Sequence, residues 1–276
     1  MNLNPLDLRG PEFLLFYFVL SALTVLIAWL YRRGQELGDA GNDLNIDKEV
    51  AKDPYQMAYL RHGRDEVIRV AIVSLMERRF LKADGEKLVL TDKKAADKVR
   101  RPLDKAILMM VASDGKAQSL YTHDLVLHEA DLVAEPLKKM HPPLVPNART
   151  TSARVGLYIG AIGFLWLVAG TKIAVALSRG HTNIAFLVIL AGAAAVVLGI
   201  AVFQPRTALG SRVNGRLQKM FARLRFDRES IRRDITTSEL TFLAAVFGFA
   251  ALPADLQEQI KPLHLHRPGS QSGDGW

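Results

Sequence analysis

"FLLFYFVLSALTVLIAWLY", residues 13–31, carries no charged side chain over 19 positions. As a helix rising 1.5 Å per residue it reaches roughly 28 Å, close to the thickness of a hydrocarbon core. About a dozen of its residues are Leu, Ile, Phe or Val, each favouring insertion by about 0.3–0.6 kcal/mol, so Ser21 and Thr24 are outweighed. The stretch is long for a secretory leader, its start is not basic, and "WLYRRGQE" (29–36) offers no small-residue cleavage site, so an uncleaved anchor is expected.

Two further spans are expected at 155–177, "VGLYIGAIGFLWLVAGTKIAVAL", and at 184–203, "IAFLVILAGAAAVVLGIAVF". Only "SRGHTN" separates them, which forces an antiparallel helical hairpin. Gly156, Gly160 and Gly163 on the first helix, and Ala191, Ala195 and Gly199 on the second, recur every three or four residues. Such small-residue stripes let helix backbones approach closely, so these faces are expected to touch within the hairpin or between copies in a homo-oligomer.

Lys and Arg near the span ends set the orientation. Arg32 and Arg33 follow the first span against a lone Arg9 before it. Lys138, Lys139, Arg149 and Arg154 precede the second, and Arg206, Arg212, Arg216, Lys219, Arg223, Arg225 and Arg228 follow the third. On the opposite side lie Lys172 and Arg179, and Lys172 has a stem long enough to snorkel outward. The expected organisation is therefore a short extracytoplasmic N-terminus (1–12), a first span (13–31) and a cytoplasmic, mainly helical domain (32–154). The membrane hairpin follows (155–177 and 184–203), then a cytoplasmic part (204–262) and a disordered tail (263–276). The whole is an α-helical membrane protein with three transmembrane helices, N-terminus outside and C-terminus inside.

This partition accounts for the composition. Of 276 residues, 49% are apolar and 23% charged, with a formal charge of +8. Such a charge suits nucleic acid, and equally loops held on the inner face of a bilayer. With no cysteine, disulfides, thiolate nucleophiles and cysteine-ligated metals are excluded.

Within the first cytoplasmic segment, Asp53-Pro54 reads as an N-cap and first turn and Gly63 as a helix breaker. Val67, Ile68, Ala71, Ile72, Leu75 and Met76 then recur at helical spacing, with Arg64, Asp65, Arg69, Glu77 and Arg78 covering much of the other side. Near 80–90, "FLKADGEKLVL" places Asp84-Gly85 between apolar flanks, a hairpin signal. Helix, helix and hairpin in this order look like part of a winged-helix unit. The second helix mixes Asp65, Glu66 and Glu77 with its arginines, which argues against a DNA-reading face and for protein contact or packing.

A second helical portion starts at Pro102, turns at Asp114-Gly115 and is interrupted at Pro136. His123, Asp124, His128, Glu129 and Asp131 crowd one stretch. His123 and His128 stand five apart, about 140° around a helix, whereas metal-binding His pairs of the H-E-x-x-H kind stand four apart on one face. No metal site is expected from them. "MHPPLVPNARTTSAR" (140–154) reads as a linker. After the third span, Leu209, Val213, Leu217, Met220, Phe221 and Leu224 interleave with arginines as a basic amphipathic helix suited to anionic headgroups. "LTFLAAVFGFAAL" (240–252) is too short to span and is expected to pack or to lie at the interface. His264 and His266 are a weak metal signal.

Several stretches together, "NPLDLRGPEFLLFY" (4–17), "DPYQMAYLRHGRDEVIRVAIVSLMERRFL" (53–81), the paired spans and "LAAVFGFAALPADLQEQI" (243–260), resemble a bacterial integral-membrane family of unknown function. Its members often carry a low-complexity Gly/Cys-rich C-terminal tail; this chain has no cysteine and a short tail. The resemblance implies a protein of the bacterial cytoplasmic (inner) membrane and supplies no catalytic residue. The sequence has no G-x-S-x-G, Walker loop, G-x-G-x-x-G or H-E-x-x-H motif. The leading expectation is a non-enzymatic, membrane-anchored interaction or scaffold protein with a cytoplasmic or membrane protein partner and no cofactor. The alternatives are a membrane-bound hydrolase using His123, Asp124 or His128, and an oligomeric transporter component, although the spans contain no Asp or Glu.

Overall fold

The computed structural model describes residues 10–37, 43–92, 94–178, 185–222, 237–263 and 265. They fall into two compact units, divided after residues 39, 145 and 208.

The first unit consists of three helices: α1 (Gly10–Leu37), with α9 (Ala148–Ser178) and α10 (Ala185–Val202). All three contain segments long and apolar enough to cross a bilayer. Helix α1 packs on both others, burying Phe13, Tyr17, Ser21 and Ala28. The Tyr17 hydroxyl donates to the Leu165 carbonyl (3.2 Å), and Ser21 and Thr24 donate back to Tyr17 and Leu20 within α1, so these polar groups are satisfied without water. Helix α9 begins seven residues before the apolar run, taking up the end of the expected linker. There the buried Arg154 donates to the carbonyls of Gln204 (2.6 Å) and Arg206 (3.1 Å), placing a cation beyond the C-terminal end of α10 where the helix dipole favours it.

The glycine stripe does not sit where its spacing suggested. Gly156, Gly160 and Gly163 are exposed, and a β-carbon added to any of them meets nothing within 4 Å. The helix contacts instead use Leu165 and Ala169 of α9 with Leu187, Ala191 and Ala194 of α10, and Leu157, Tyr158, Ala161 and Ile162 with Leu198 and Val202. Bulkier residues one step around α9 fill the seam, and Gly199 faces the ring of Tyr158.

The second unit contains α2 (Asp43–Val50), α3 (Pro54–His62), α4 (Arg64–Glu77), strands β1 (Leu81–Asp84) and β2 (Lys87–Leu90), α5 (Ala95–Lys98), α6 (Pro102–Ser113), α7 (Asp124–Leu132), α8 (Glu135–Lys139), α11 (Ala208–Met220), α12 (Thr237–Phe247) and α13 (Ala254–Ile260). Asp53 caps α3, its carboxylate accepting from the Tyr55 amide at 3.0 Å, with Pro54 in the first turn. Gly63 ends α3 at φ +77°, a conformation that favours glycine. The hairpin closes on Gly85-Glu86 rather than Asp84-Gly85. Asp84 pairs with Lys87, and a first turn residue Gly85 at φ +59° suits a type II′ turn. The free edge of β2 is met by Lys116, opposite Lys87.

Helix α4 is the axis of this unit. Val67, Ile68, Val70, Ala71, Ile72, Val73 and Leu75 have no exposed surface, and Glu66 and Ser74 are buried with them. Helices α3, α6, α7 and α12 all pack against it. The sequence suggested a one-sided amphipathic helix, but partners close in all round, leaving no broad face to enter a nucleic-acid groove. Helix–helix–hairpin order is present; a groove-reading second helix is not.

The C-terminal elements complete this core. Leu209, Val213 and Leu217 of α11 are buried in it, so the apolar side of the basic amphipathic helix is occupied by protein. Arg216 turns to the buried Asp47 of α2 in a two-pronged ion pair (2.6 and 3.0 Å), while Arg212 and Lys219 stay exposed. Leu243, Ala244, Ala245 and Val246 of α12 are buried, so the short apolar stretch packs. The linker is anchored too: Leu144 and Val145 lie in the core, with the Leu144 carbonyl against Gly210. Pro136 falls in the first turn of α8, a new helix after the break. Leu224, Arg223, Arg225, Arg228, His264 and His266 lie outside the described residues.

Candidate functional site

The ionisable groups gathered in the second unit sit where helix ends meet α4. Two buried acids, Asp104 and Glu66, and the half-buried Glu77 organise them.

Asp104, in the first turn of α6, has no exposed surface. The Tyr55 hydroxyl of α3 donates to its Oδ1 at 2.7 Å, and Arg78, just past α4, donates to Oδ2 at 3.0 Å. Arg101 donates to Asp53 at 2.9 Å and lies 4.3 Å above the Tyr55 ring. Burial raises the Asp104 carboxyl above its ordinary range, against the downward pull of Tyr55 and Arg78. Burial and the adjacent Asp104 also hold the Tyr55 proton tightly. Both carboxylate oxygens are thus engaged within the protein. The cluster binds α3, α4 and α6 to one another, and removing one partner of such a buried pair typically costs about 3–5 kcal/mol.

Glu66, in the first turn of α4, is paired by Arg61 of α3 and by Arg69 one turn on (3.3 Å). Arg69 also donates to the Leu265 carbonyl, tying Leu265 to α4. The Arg61 guanidinium lies against Gly248, where a β-carbon would collide with it; Gly248 also holds φ +83°. The positive φ favours glycine there, and any larger residue would also have to displace the guanidinium.

Glu77, the last residue of α4, accepts from the Thr241 hydroxyl of α12 at 2.9 Å. Its other carboxylate oxygen is buried without a hydrogen-bond partner among the described residues. Burial pushes this carboxyl up to about 7, with Thr241 pulling the other way. A helix C-terminus further disfavours the anion.

The His–Asp stretch does not assemble. His123 precedes α7 and makes no side-chain cap bond, and its Nδ1 is buried without a partner among the described residues. Asp124 and His128 are exposed. Asp131 is engaged elsewhere, by Arg64 at 3.1 Å and by the Tyr59 hydroxyl at 3.5 Å. Among the described residues no three His, Asp or Glu side chains converge as metal ligands.

Sequence reasoning missed the buried acids, although their spacing marks them. Asp104 shares a stripe with Ile107, Leu108 and Val111, and Glu66 and Glu77 share one with Val70 and Val73. All five apolar members are buried. An acid in such a stripe must be paired or kept neutral. No protein-family model, curated protein or solved structure matches the chain.

Proposed function

We propose that the chain is a non-enzymatic scaffold of the bacterial cytoplasmic membrane, which holds the second unit at the inner face for a protein partner. The observation that carries this reading is how the buried charge is used. Asp104, Glu66 and Asp47 are each tied to arginines from other parts of the unit, so the interior is built for rigidity. The three apolar helices supply the anchor, and the cationic flanks, Arg32 and Arg33 after the first span and Lys138 to Arg154 before the second, favour an inner location for the second unit. The hairpin is then a winged-helix-like packing element, not a DNA reader. Exposed Arg212 and Lys219 leave α11 able to meet headgroups by charge alone.

Affinity capture of the full chain from mild detergent should recover one partner in stoichiometric amount, and deleting residues 50–145 should abolish its recovery. Reporter fusions at positions 45, 180 and 225 should read inside, outside and inside. Capture without a stoichiometric partner, or an outside reading at 45, overturns the proposal.

A further inference from the structure

We infer that the outer face of the β1–β2 hairpin is a docking surface for anionic phospholipid headgroups. Charge is segregated within the second unit. Residues 78–116 hold 11 Lys or Arg against 6 Asp or Glu, whereas residues 43–77 hold 5 against 7 and residues 117–145 hold 2 against 4. Between residues 43 and 145 the excess cation therefore follows the hairpin and the segments flanking it; residues 209–233 of the same unit carry a further 8 Lys or Arg against 2 Asp or Glu.

The strand register shows which side presents it. Leu81, Ala83, Leu88 and Leu90 point inward; Lys82, Asp84, Lys87 and Val89 point outward. Lys116 lies directly opposite Lys87 on the free edge of β2, and like charges so placed repel. None of Lys82, Lys87 and Lys116 makes an ion pair among the described residues. Asp84 and Glu86 at the tip offset the charge only in part. Val89 stands among the lysines 46% exposed, an apolar side chain suited to the boundary between headgroup and acyl chain. Exposed Arg79, one residue before Phe80 and the strand, adds a cation at the base of the hairpin.

Phosphate on a lipid and phosphate on a nucleic acid would both suit this charge. Two observations favour lipid. Helix α4 is surrounded by other elements, which leaves the hairpin without a groove-reading helix beside it. The second unit is also tied to apolar helices by short connections: five residues between Leu37 and Asp43, two between the buried Val145 and Ala148, and six between Val202 and the buried Leu209. Tethers this short hold headgroups at high effective concentration, so a weak surface is filled.

The test uses the full chain in nanodiscs of phosphatidylcholine alone or of an equal mixture with phosphatidylglycerol, read by hydrogen exchange of the amides of residues 81–90. With about a fivefold contribution per lysine near an anionic surface, exchange there should be on the order of 100-fold slower in the mixed discs. Raised ionic strength should remove the difference. The K82E/K87E/K116E variant should lose it while the amides of α4 keep their protection; K82Q/K87Q/K116Q, free of new charge, should lose most of it. Equal exchange in the two discs overturns the inference. Protection by an added DNA duplex in phosphatidylcholine discs, with none from phosphatidylglycerol, overturns it as well and identifies a nucleic-acid surface.

Discussion

Glu77→Gln isolates a half-buried acid that has no cationic partner among the described residues. In the parent, the carboxyl has an ordinary value near 4.5 and is pushed to about 7 by burial between α4 and α12. Its folded-state affinity for a proton is raised, so its contribution to stability is complete below about pH 4.5 and is lost as pH climbs through 7. Taken in full, a gap of this size corresponds to about 3 kcal/mol. The side chain is partly open to solvent, and screening reduces the expected loss to about 1–2 kcal/mol. Glutamine keeps an acceptor for the Thr241 hydroxyl and cannot ionise. Parent and variant should therefore be equally stable at pH 4.5, with the variant more stable by about 1–2 kcal/mol at pH 8. Hydrogen exchange of the amides of residues 70–77 and 241–247, compared between the two proteins at each pH, cancels the intrinsic pH dependence of exchange. A difference of about 5–30-fold in protection should open between pH 5 and 7.5. A pH-independent difference, or a variant less protected at pH 8, would refute the assignment of the neutral form.

Asp104→Ala strands Tyr55 and Arg78 and should lower stability by about 3 kcal/mol or more, whereas Tyr55→Phe should cost about 1 kcal/mol, both read from thermal unfolding in detergent. Arg79 occupies the left-handed region at φ +59°, where its amide bonds to the Met76 carbonyl and the Phe80 amide to that of Leu75, the pattern that usually ends a helix on glycine. Arg79→Gly should therefore raise stability by about 1 kcal/mol in the same assay. Gly210→Ala drives a β-carbon into the Leu144 carbonyl and should cost about 2–3 kcal/mol, with faster exchange at residues 140–146. Gly160→Leu projects into open space and should change the unfolding temperature by less than the equivalent of about 0.5 kcal/mol, while Ala191→Leu, in the packed seam, should cost about 1–3 kcal/mol.

The membrane helices were legible because crossing lipid depends on length and continuous apolarity, both local properties. The cap at Asp53, the stop at Gly63 and the hairpin were legible for a similar reason, since each is decided within a few residues. Which side of α9 meets α10 was not. In lipid no hydrophobic force selects the apolar side, so glycine spacing alone cannot tell a used stripe from an idle one. Gly160 is idle, and Ala169, nine residues on and facing the other way around the helix, is used. Helix α11 shows a second case of an apolar face whose partner the sequence does not name. Its sequence describes an interfacial helix, but Leu209, Val213 and Leu217 find apolar partners in the core of the second unit. An amphipathic pattern records that a face is buried and not what buries it.

The candidate site was hidden because its members are brought together in space and not in sequence. His123, Asp124 and His128 look like a cluster on the page, yet His123 precedes the helix, and Asp124 and His128, one turn apart on one face of it, are exposed. The groups that do converge are far apart along the chain: Tyr55 with Asp104, Asp47 with Arg216, and Arg69 with the carbonyl of Leu265. What the sequence does hold is the demand for such partners. An acid on a stripe of buried valines and leucines is unstable alone, so its presence requires a cation, a donor or a retained proton. Asp104 and Glu66 take cations and Glu77, lacking one, retains its proton near neutral pH. The same principle turned outward explains the hairpin, whose lysines repel one another and are left to a partner beyond the chain.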